Sequence, residues 1–317
     1  MTDWTGYEIM KIRRNRHLSE PSQTDCGRER HRRALAYKGK KERASMKKTV
    51  RIILLVLCLT VFLFSGTMIV RELLEYRRGD QAYEALEKYV EMIPAGNDGK
   101  TTQADGKGLD SSAFSENKTA GNMDAELSTP LPTVDFDALR EINSDVVGWL
   151  YSPETIINYP VAQAQDNDYY LHHRFDRVPH KAGCIFMDAG NNSDLSDPHT
   201  ILYGHHMKNT SMFGTLTNYK KQEYYEEHST IYLLTPRKNY AISVFAGYVS
   251  PGDGDAWKLK FTDQDERSAW VQAALERSTF NSGMVPSPED QIITLSTCSY
   301  EYDNARYVLL GILTPLK

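Results

Sequence analysis

Residues 291–313 read QIITLSTCSYEYDNARYVLLGIL. Ile292 to Thr297 and Arg306 to Leu313 are both β-type runs, and Ser299 to Ala305 between them contains Asp303-Asn304, a turn signal. Paired as a hairpin, they put Cys298 at the end of one strand and Arg306 at the start of the next, opposite each other. Cross-strand partners point to the same face of a sheet, so the thiol and the guanidinium would lie side by side. A permanent positive charge favours the thiolate of a neighbouring cysteine, and a guanidinium can donate hydrogen bonds to an oxyanion. The plain alternative is a buried cysteine near an arginine that caps a strand. Without a histidine, that alternative stands.

A histidine is at hand in residues 201–214, ILYGHHMKNTSMFG. Thr200 to Tyr203 reads as a strand, and Gly204 lets the backbone turn, presenting His205 and His206 at its end. A Cys–His pair on neighbouring strand ends is the arrangement an activated nucleophile needs, and histidine changes charge near neutral pH. The competing readings of a double histidine are a surface turn and a metal site. His172-His173, His180, His199 and His205-His206 are numerous enough to raise zinc. No HExxH pattern occurs, however, and the spacings match no common zinc motif.

The surrounding sequence is mainly β. Short strand-like runs recur at Val147–Tyr151, Ile156–Val161, Gly183–Met187, Thr200–Tyr203, Ser229–Leu234 and Tyr240–Val249, ahead of the two in the opening stretch. Many short strands with turn signals and no regular alternation with helices predict a β-barrel or sandwich. Thr262 with Asp265 three residues on resembles a capping box, and Trp270, Val271, Ala274 and Leu275 form one apolar helical face. Phe136, Leu139 and Ile142 predict a short helix capped by Asp135. One domain over 135–317 is long enough for a single sizeable core.

Upstream of it the chain changes character. The net charge of −5 conceals an asymmetry: Met1 to Arg51 carries 15 Lys and Arg against 6 Asp and Glu. Such a split points to a membrane or a nucleic acid near the basic end, and the next segment favours the membrane over nucleic acid. Ile52 to Val70 is a run of 19 residues without a charge, spanning about 28 Å as a helix, close to the hydrocarbon core of a bilayer. Lys47, Lys48 and Arg51 place its N-terminal side in the cytoplasm, and everything after Arg71 outside. Ser65-Gly66-Thr67 is where cleavage as a signal peptide would have to occur. The expected organisation is a basic cytoplasmic tail (1–51), a transmembrane helix (52–70), a juxtamembrane helix (71–93), a flexible linker rich in Gly, Asn and Ser (94–134), and the external domain. The first 45 residues lack apolar periodicity and read as a coreless tail. Met46-Lys47-Lys48 has the form of a short n-region, so Met46 is a candidate start with 1–45 an upstream extension.

Four cysteines are too few and too scattered for a disulfide framework. Cys26 sits in the tail and Cys58 in the span. Cys184, in the apolar run AGCIFMD, reads as a small core residue that stays unbonded to Cys298.

LYGHHMKNTSMFG and TLSTCSYEYDNAR resemble the two signature segments of class B sortases, and NYPVAQAQDNDYYLHH and GCIFMD resemble that family as well. The likeness runs from Asp135 to the C-terminus. It implies a closed eight-stranded β-barrel, mainly β with flanking helices, with the active site in a groove at strand ends. By the same resemblance Cys298 is the nucleophile, His205 the general acid/base and Arg306 the essential arginine. Tyr203, Ser296, Asn167 and Trp257 match or approximate groove positions that contact the peptide, although each could equally pack the barrel rim. Cys184 departs from the small polar residue expected there. The reaction implied is cleavage of a sorting motif after Thr through a thioester, with transfer to an amine of a peptidoglycan precursor and without metal or organic cofactor. A secreted cysteine protease, a pilin-polymerising transpeptidase, a zinc hydrolase and a non-enzymatic cell-wall binding module are the competing readings.

Overall fold

The structure, a computed structural model, describes residues 23–91 and 131–316. The chain forms two compact units, Met1–Glu72 and Leu73–Lys317. The first, over its described residues, is all helix: it contains most of α1 (Gln23–Glu84). Side chains from Ile52 to Val70 are exposed on every side, and α1 is the one helix among the described residues long and apolar enough to cross a membrane. The tail read as coreless is helical from Gln23. Its Arg, Lys and Ala residues are good helix formers, and extending an existing helix avoids the cost of nucleation. Residues 1–22 and most of the predicted linker lie outside the described residues.

The second unit opens with the end of α1. The juxtamembrane helix read over 71–93 holds to Glu84, where packing takes over. Tyr83 and Leu86 are buried in the core, a 3-10 turn spans Glu87–Tyr89, and β1 (Val90–Glu91) pairs antiparallel with β2 (Thr133–Val134). Asp135 caps α2 (Phe136–Ile142) as expected, its carboxylate accepting from the Ala138 N–H at 3.0 Å.

Eight further strands close a barrel. They are β3 (Val146–Tyr151), β4 (Asn158–Ala162), β5 (Ile185–Met187), β6 (His199–Tyr203), β7 (Thr230–Leu234), β8 (Tyr240–Pro251), β9 (Ile292–Cys298) and β10 (Ala305–Pro315). Around the barrel the order is β10-β8-β7-β3-β4-β5-β6-β9. All eight predicted strands are present. The fifth-strand region starts later than read, because Gly183 is left-handed at φ +57° and belongs to the turn before β5. Two pairings are parallel, β4 with β5 and β6 with β9; the long connections they need carry α3 (Tyr169–His172), a 3-10 helix (Gly214–Lys220), α4 (Gln222–Glu227) and α5 (Gln264–Arg277).

Alternation along β9 and β10 sorts side chains between two cores. Ile293, Leu295, Tyr307 and Leu309 face the barrel interior, while Ile292, Val308 and Leu310 pack with Trp270, Val271 and Ala274 of α5. The α5 cap lies one residue beyond the predicted pair. Asp263 accepts from the Glu266 N–H at 2.9 Å, and the Glu266 carboxylate accepts from the Thr262 N–H at 2.6 Å. Thr262 and Asp265 thus stand one position away from the capping roles the pattern suggested.

Candidate active site

β9 is buried from Ile292 to Thr297 and becomes half-buried only at Cys298. The strand therefore delivers its last side chain to the rim. Cys298 and Arg306 are direct Cα partners across β9 and β10, the register expected from the hairpin reading. By alternation they share a face with Ser296, and Ser296 in turn pairs with Tyr203 on β6.

β6 ends at Gly204, whose N–H donates to the Ser296 carbonyl at 3.1 Å. Here the reason for glycine is close packing. A Cβ would stand 2.4 Å from Ile185 Cδ1 and 2.7 Å from Phe213 Cδ2, so a larger residue would push the histidine pair away from β9.

His205 is half-buried, and its Nε2 lies 2.8 Å from the Leu171 carbonyl oxygen. A carbonyl only accepts, so Nε2 carries the proton and Nδ1 is the nitrogen left to exchange one. His206 holds the other side of the site: its Nδ1 donates to the Cys298 carbonyl at 2.9 Å, and its ring meets Tyr300 edge-on at 5.2 Å. The Arg306 guanidinium donates to the Ala305 carbonyl at 3.0 Å and has no carboxylate partner among the described residues. Most of its donors thus stay available to an anion.

Cys298, His205 and Arg306 line one cleft of about 390 Å³, which also takes in Asn167, Tyr203, Ser296 and Trp257. The four are braced differently. Trp257 Nε1 donates to Ser296 Oγ at 3.2 Å. The Tyr203 hydroxyl and the Asn167 amide both donate to Asp188 Oδ2, at 2.7 and 2.9 Å. Burial and the Asp188 carboxylate push the Tyr203 phenol well above its ordinary range, keeping it protonated as a donor. All seven residues singled out in the sequence thus meet at one site.

The remaining histidines are dispersed. His199 is buried between the Lys258 carbonyl and Thr294 Oγ1, 2.8 Å from each, and His173 stacks on Tyr169 at 4.1 Å. Among the described residues no three His, Cys, Asp or Glu side chains converge as a metal site.

A family model described as the sortase domain matches residues 150–314. The chain belongs to the sortase family. Sortase B of Listeria monocytogenes serovar 1/2a is 37% identical over 177 residues, covering 55% of this chain and 72% of that protein. The crystal structure of Staphylococcus aureus Sortase B aligns with a TM-score of 0.55 at 33% identity, covering 57% of this chain and 87% of that one. The Staphylococcus aureus sortase B–substrate complex aligns equally well, with a TM-score of 0.55 and 85% of its chain covered. This sortase is of class B, a cysteine transpeptidase of cell-wall anchoring that acts on sorting-signal peptides.

Two groups at this cleft escaped the sequence reading. Asp188, at the end of GCIFMD, gathers Tyr203 and Asn167 and also accepts from the Gly190 N–H at 2.8 Å. A strand-ending aspartate was the only signal, and it is a common one. Behind Cys298, Glu301 binds both Lys220 and Ser299, bracing the β9–β10 loop. Lys220 is remote in sequence and carried no signal.

Proposed function

We propose that Cys298, His205 and Arg306 are the catalytic residues, and that the sortase cleaves its sorting motif after Thr and transfers the product to an amine of a peptidoglycan precursor. The reading rests on one observation: Cys298 and Arg306 are register partners, and His205 lines the same cleft.

The Cys298 thiolate attacks the Thr carbonyl carbon, forming a C–S bond and a tetrahedral oxyanion. Arg306 donates to that oxygen, where charge develops and the ground-state carbonyl carries little. Collapse breaks the C–N bond, and protonated His205 gives its Nδ1 proton to the departing amine. The acceptor amine then attacks the thioester carbonyl, neutral His205 takes its proton, and the thiolate leaves. Tyr203, Ser296, Asn167 and Trp257 form the walls that hold the peptide.

The helical segment 52–70 is proposed as the membrane anchor, with the basic end cytoplasmic, the catalytic unit outside and residues 94–134 as a tether. Anchoring raises the effective concentration of a membrane-held acceptor. The test is the full chain in detergent micelles, given a Pro-x-Thr peptide library and an amine acceptor, with products read by mass spectrometry. Cleavage after Thr with a thioester trapped on Cys298, lost in Cys298→Ala and His205→Ala, is the expected result. Cleavage that survives Cys298→Ala sinks the assignment.

A further inference from the structure

The end of α1 is built into the structure behind His205. Tyr83 is buried, and its hydroxyl donates to the Gly183 carbonyl at 2.5 Å. Gly183 is itself wedged against the histidine. A Cβ at this residue, which has φ +57°, would stand 2.9 Å from the Leu171 carbonyl oxygen and 3.1 Å from His205 Cδ2. One glycine thus touches both the imidazole and the carbonyl that receives its Nε2 proton. Tyr83 fixes the carbonyl of that glycine.

Two further contacts tie the same helix end to the other flank of His205. The Tyr83 ring meets Tyr159 edge-on at 5.4 Å, and the Tyr159 hydroxyl accepts from the Met212 N–H at 3.1 Å. Met212 forms a β-bridge with His206, and the neighbouring Phe213 N–H donates to the His205 carbonyl at 3.0 Å. In the same loop, the Asn209 amide donates to both Asp80 carboxylate oxygens at 3.1 Å. The segment leading to Gly183 is held as well. His180 Nδ1 accepts from the Ala182 N–H at 3.1 Å, and its Nε2 donates to the Glu75 carbonyl at 3.0 Å. That approach needs Gly79, since a Cβ there would lie 2.6 Å from His180 Cε1.

We infer that Tyr83 is a positioning residue for His205, and that the helix end Leu73–Glu84 is a working part of the catalytic unit. This rests on His205 being the acid/base. Physically, Tyr83 holds Gly183, Gly183 holds the Leu171 carbonyl against the ring, and that carbonyl keeps the Nε2 tautomer and the ring angle. Nδ1 then points where a proton can be exchanged. A loosened ring would cost rate with little effect on peptide binding, because the groove walls are untouched.

Tyr83→Phe keeps the ring and its packing on Tyr159 and removes only the donor. In the full chain in detergent, the expected result is a fall in kcat of about 10-fold with KM within about twofold. The ¹⁵N signals of His205, assigned by comparison with His205→Ala, should show proton occupancy shifting away from Nε2. Asp80→Ala, which removes an exposed contact to Asn209, should give a smaller kcat loss of the same kind, and keeps the test open should Tyr83→Phe fold poorly. Unchanged kcat together with unmoved His205 signals in both variants would overturn the inference. So would a kcat loss matched by a loss of folded protein, with the His205 signals of the folded fraction unmoved. Activity that persists in His205→Ala would instead overturn the acid/base assignment, a separate failure that the ¹⁵N signals would not mimic.

Discussion

The catalytic unit holds one cysteine and one histidine at the barrel rim and another of each inside its walls, Cys298 and His205 against Cys184 and His199, and the contrast shows what leaves such a group open to chemistry. Cys298 is the half-buried last residue of β9, whereas Cys184 is buried, its Sγ 3.2 Å from the Ile185 carbonyl, and burial pushes its thiol up to about 12. His205 keeps one nitrogen uncommitted, whereas His199 has both engaged, and burial holds it down at about 4. Solvent access and spare hydrogen-bonding capacity set whether a group of a given type is open to chemistry or fills structure.

The harshest test of the contrast exchanges the cysteines' fates. Cys298→Ala should reduce peptide transfer by at least about 10³-fold, as loss of a nucleophile does. Cys184→Ala should retain transfer while losing about 1–2 kcal/mol of stability. Steady-state kinetics and denaturant melts on the two variants check both halves. Of the two cysteines in the catalytic unit, alkylation by iodoacetamide at neutral pH, read by peptide mass mapping, should label Cys298 and spare the buried Cys184 until the protein unfolds.

Arg306 is next. Arg306→Ala should cost roughly 10²-fold in kcat if it stabilises the oxyanion, and Arg306→Lys should recover only part, because an ammonium lacks the planar fork. A fall confined to KM would reassign the residue to ground-state binding.

The histidine half of the contrast predicts a pH effect. His199 has a folded-state pKa depressed from 6.5 to about 4, so below pH 6.5 the unfolded chain binds a proton that the folded one refuses. Stability should therefore fall as pH drops from about 6.5 to about 4, by on the order of 3 kcal/mol, and level off below that. Thermal melts across this range, with His199→Gln losing the dependence, would check it.

The smallest expected effect belongs to His206. Removing its ring in His206→Ala leaves the Cys298 carbonyl without its donor, at a cost of about 1–3 kcal/mol. We expect about a 10-fold loss in kcat with the thiol still alkylated, distinguishing a residue that holds the nucleophile's backbone from one that performs chemistry. An effect as large as that of His205→Ala would blur the distinction between the paired histidines.

Much of this was legible because it is local. The β-type runs Ile292 to Thr297 and Arg306 to Leu313, with the Asp303-Asn304 turn between them, set the hairpin and put Cys298 opposite Arg306, since the loop of a hairpin fixes its register. Asp135 as a cap and the apolar face of α5 were equally readable from spacing within a few residues. The uncharged run from Ile52 to Val70 announced a helix of bilayer length by composition alone. The misreadings sit where local preference competes with distant partners. The helix read over 71–93 yields at Glu84 because Leu86 packs into the core and Val90 pairs with Val134. Gly183 looked like the start of a strand and is a left-handed wedge against Tyr170, Leu171 and His205.

By itself, then, the sequence determined the barrel's strands, the hairpin that joins Cys298 to Arg306, and the chemistry available to them, because these depend on periodicity and side-chain type. Only the tertiary structure decided which nitrogen of His205 is free, that Asp188 gathers Tyr203 and Asn167, and that Tyr83, more than a hundred residues from His205, bonds the glycine packed beside it. Each of these is a contact between segments far apart in the chain, and such contacts exist only once the barrel has closed.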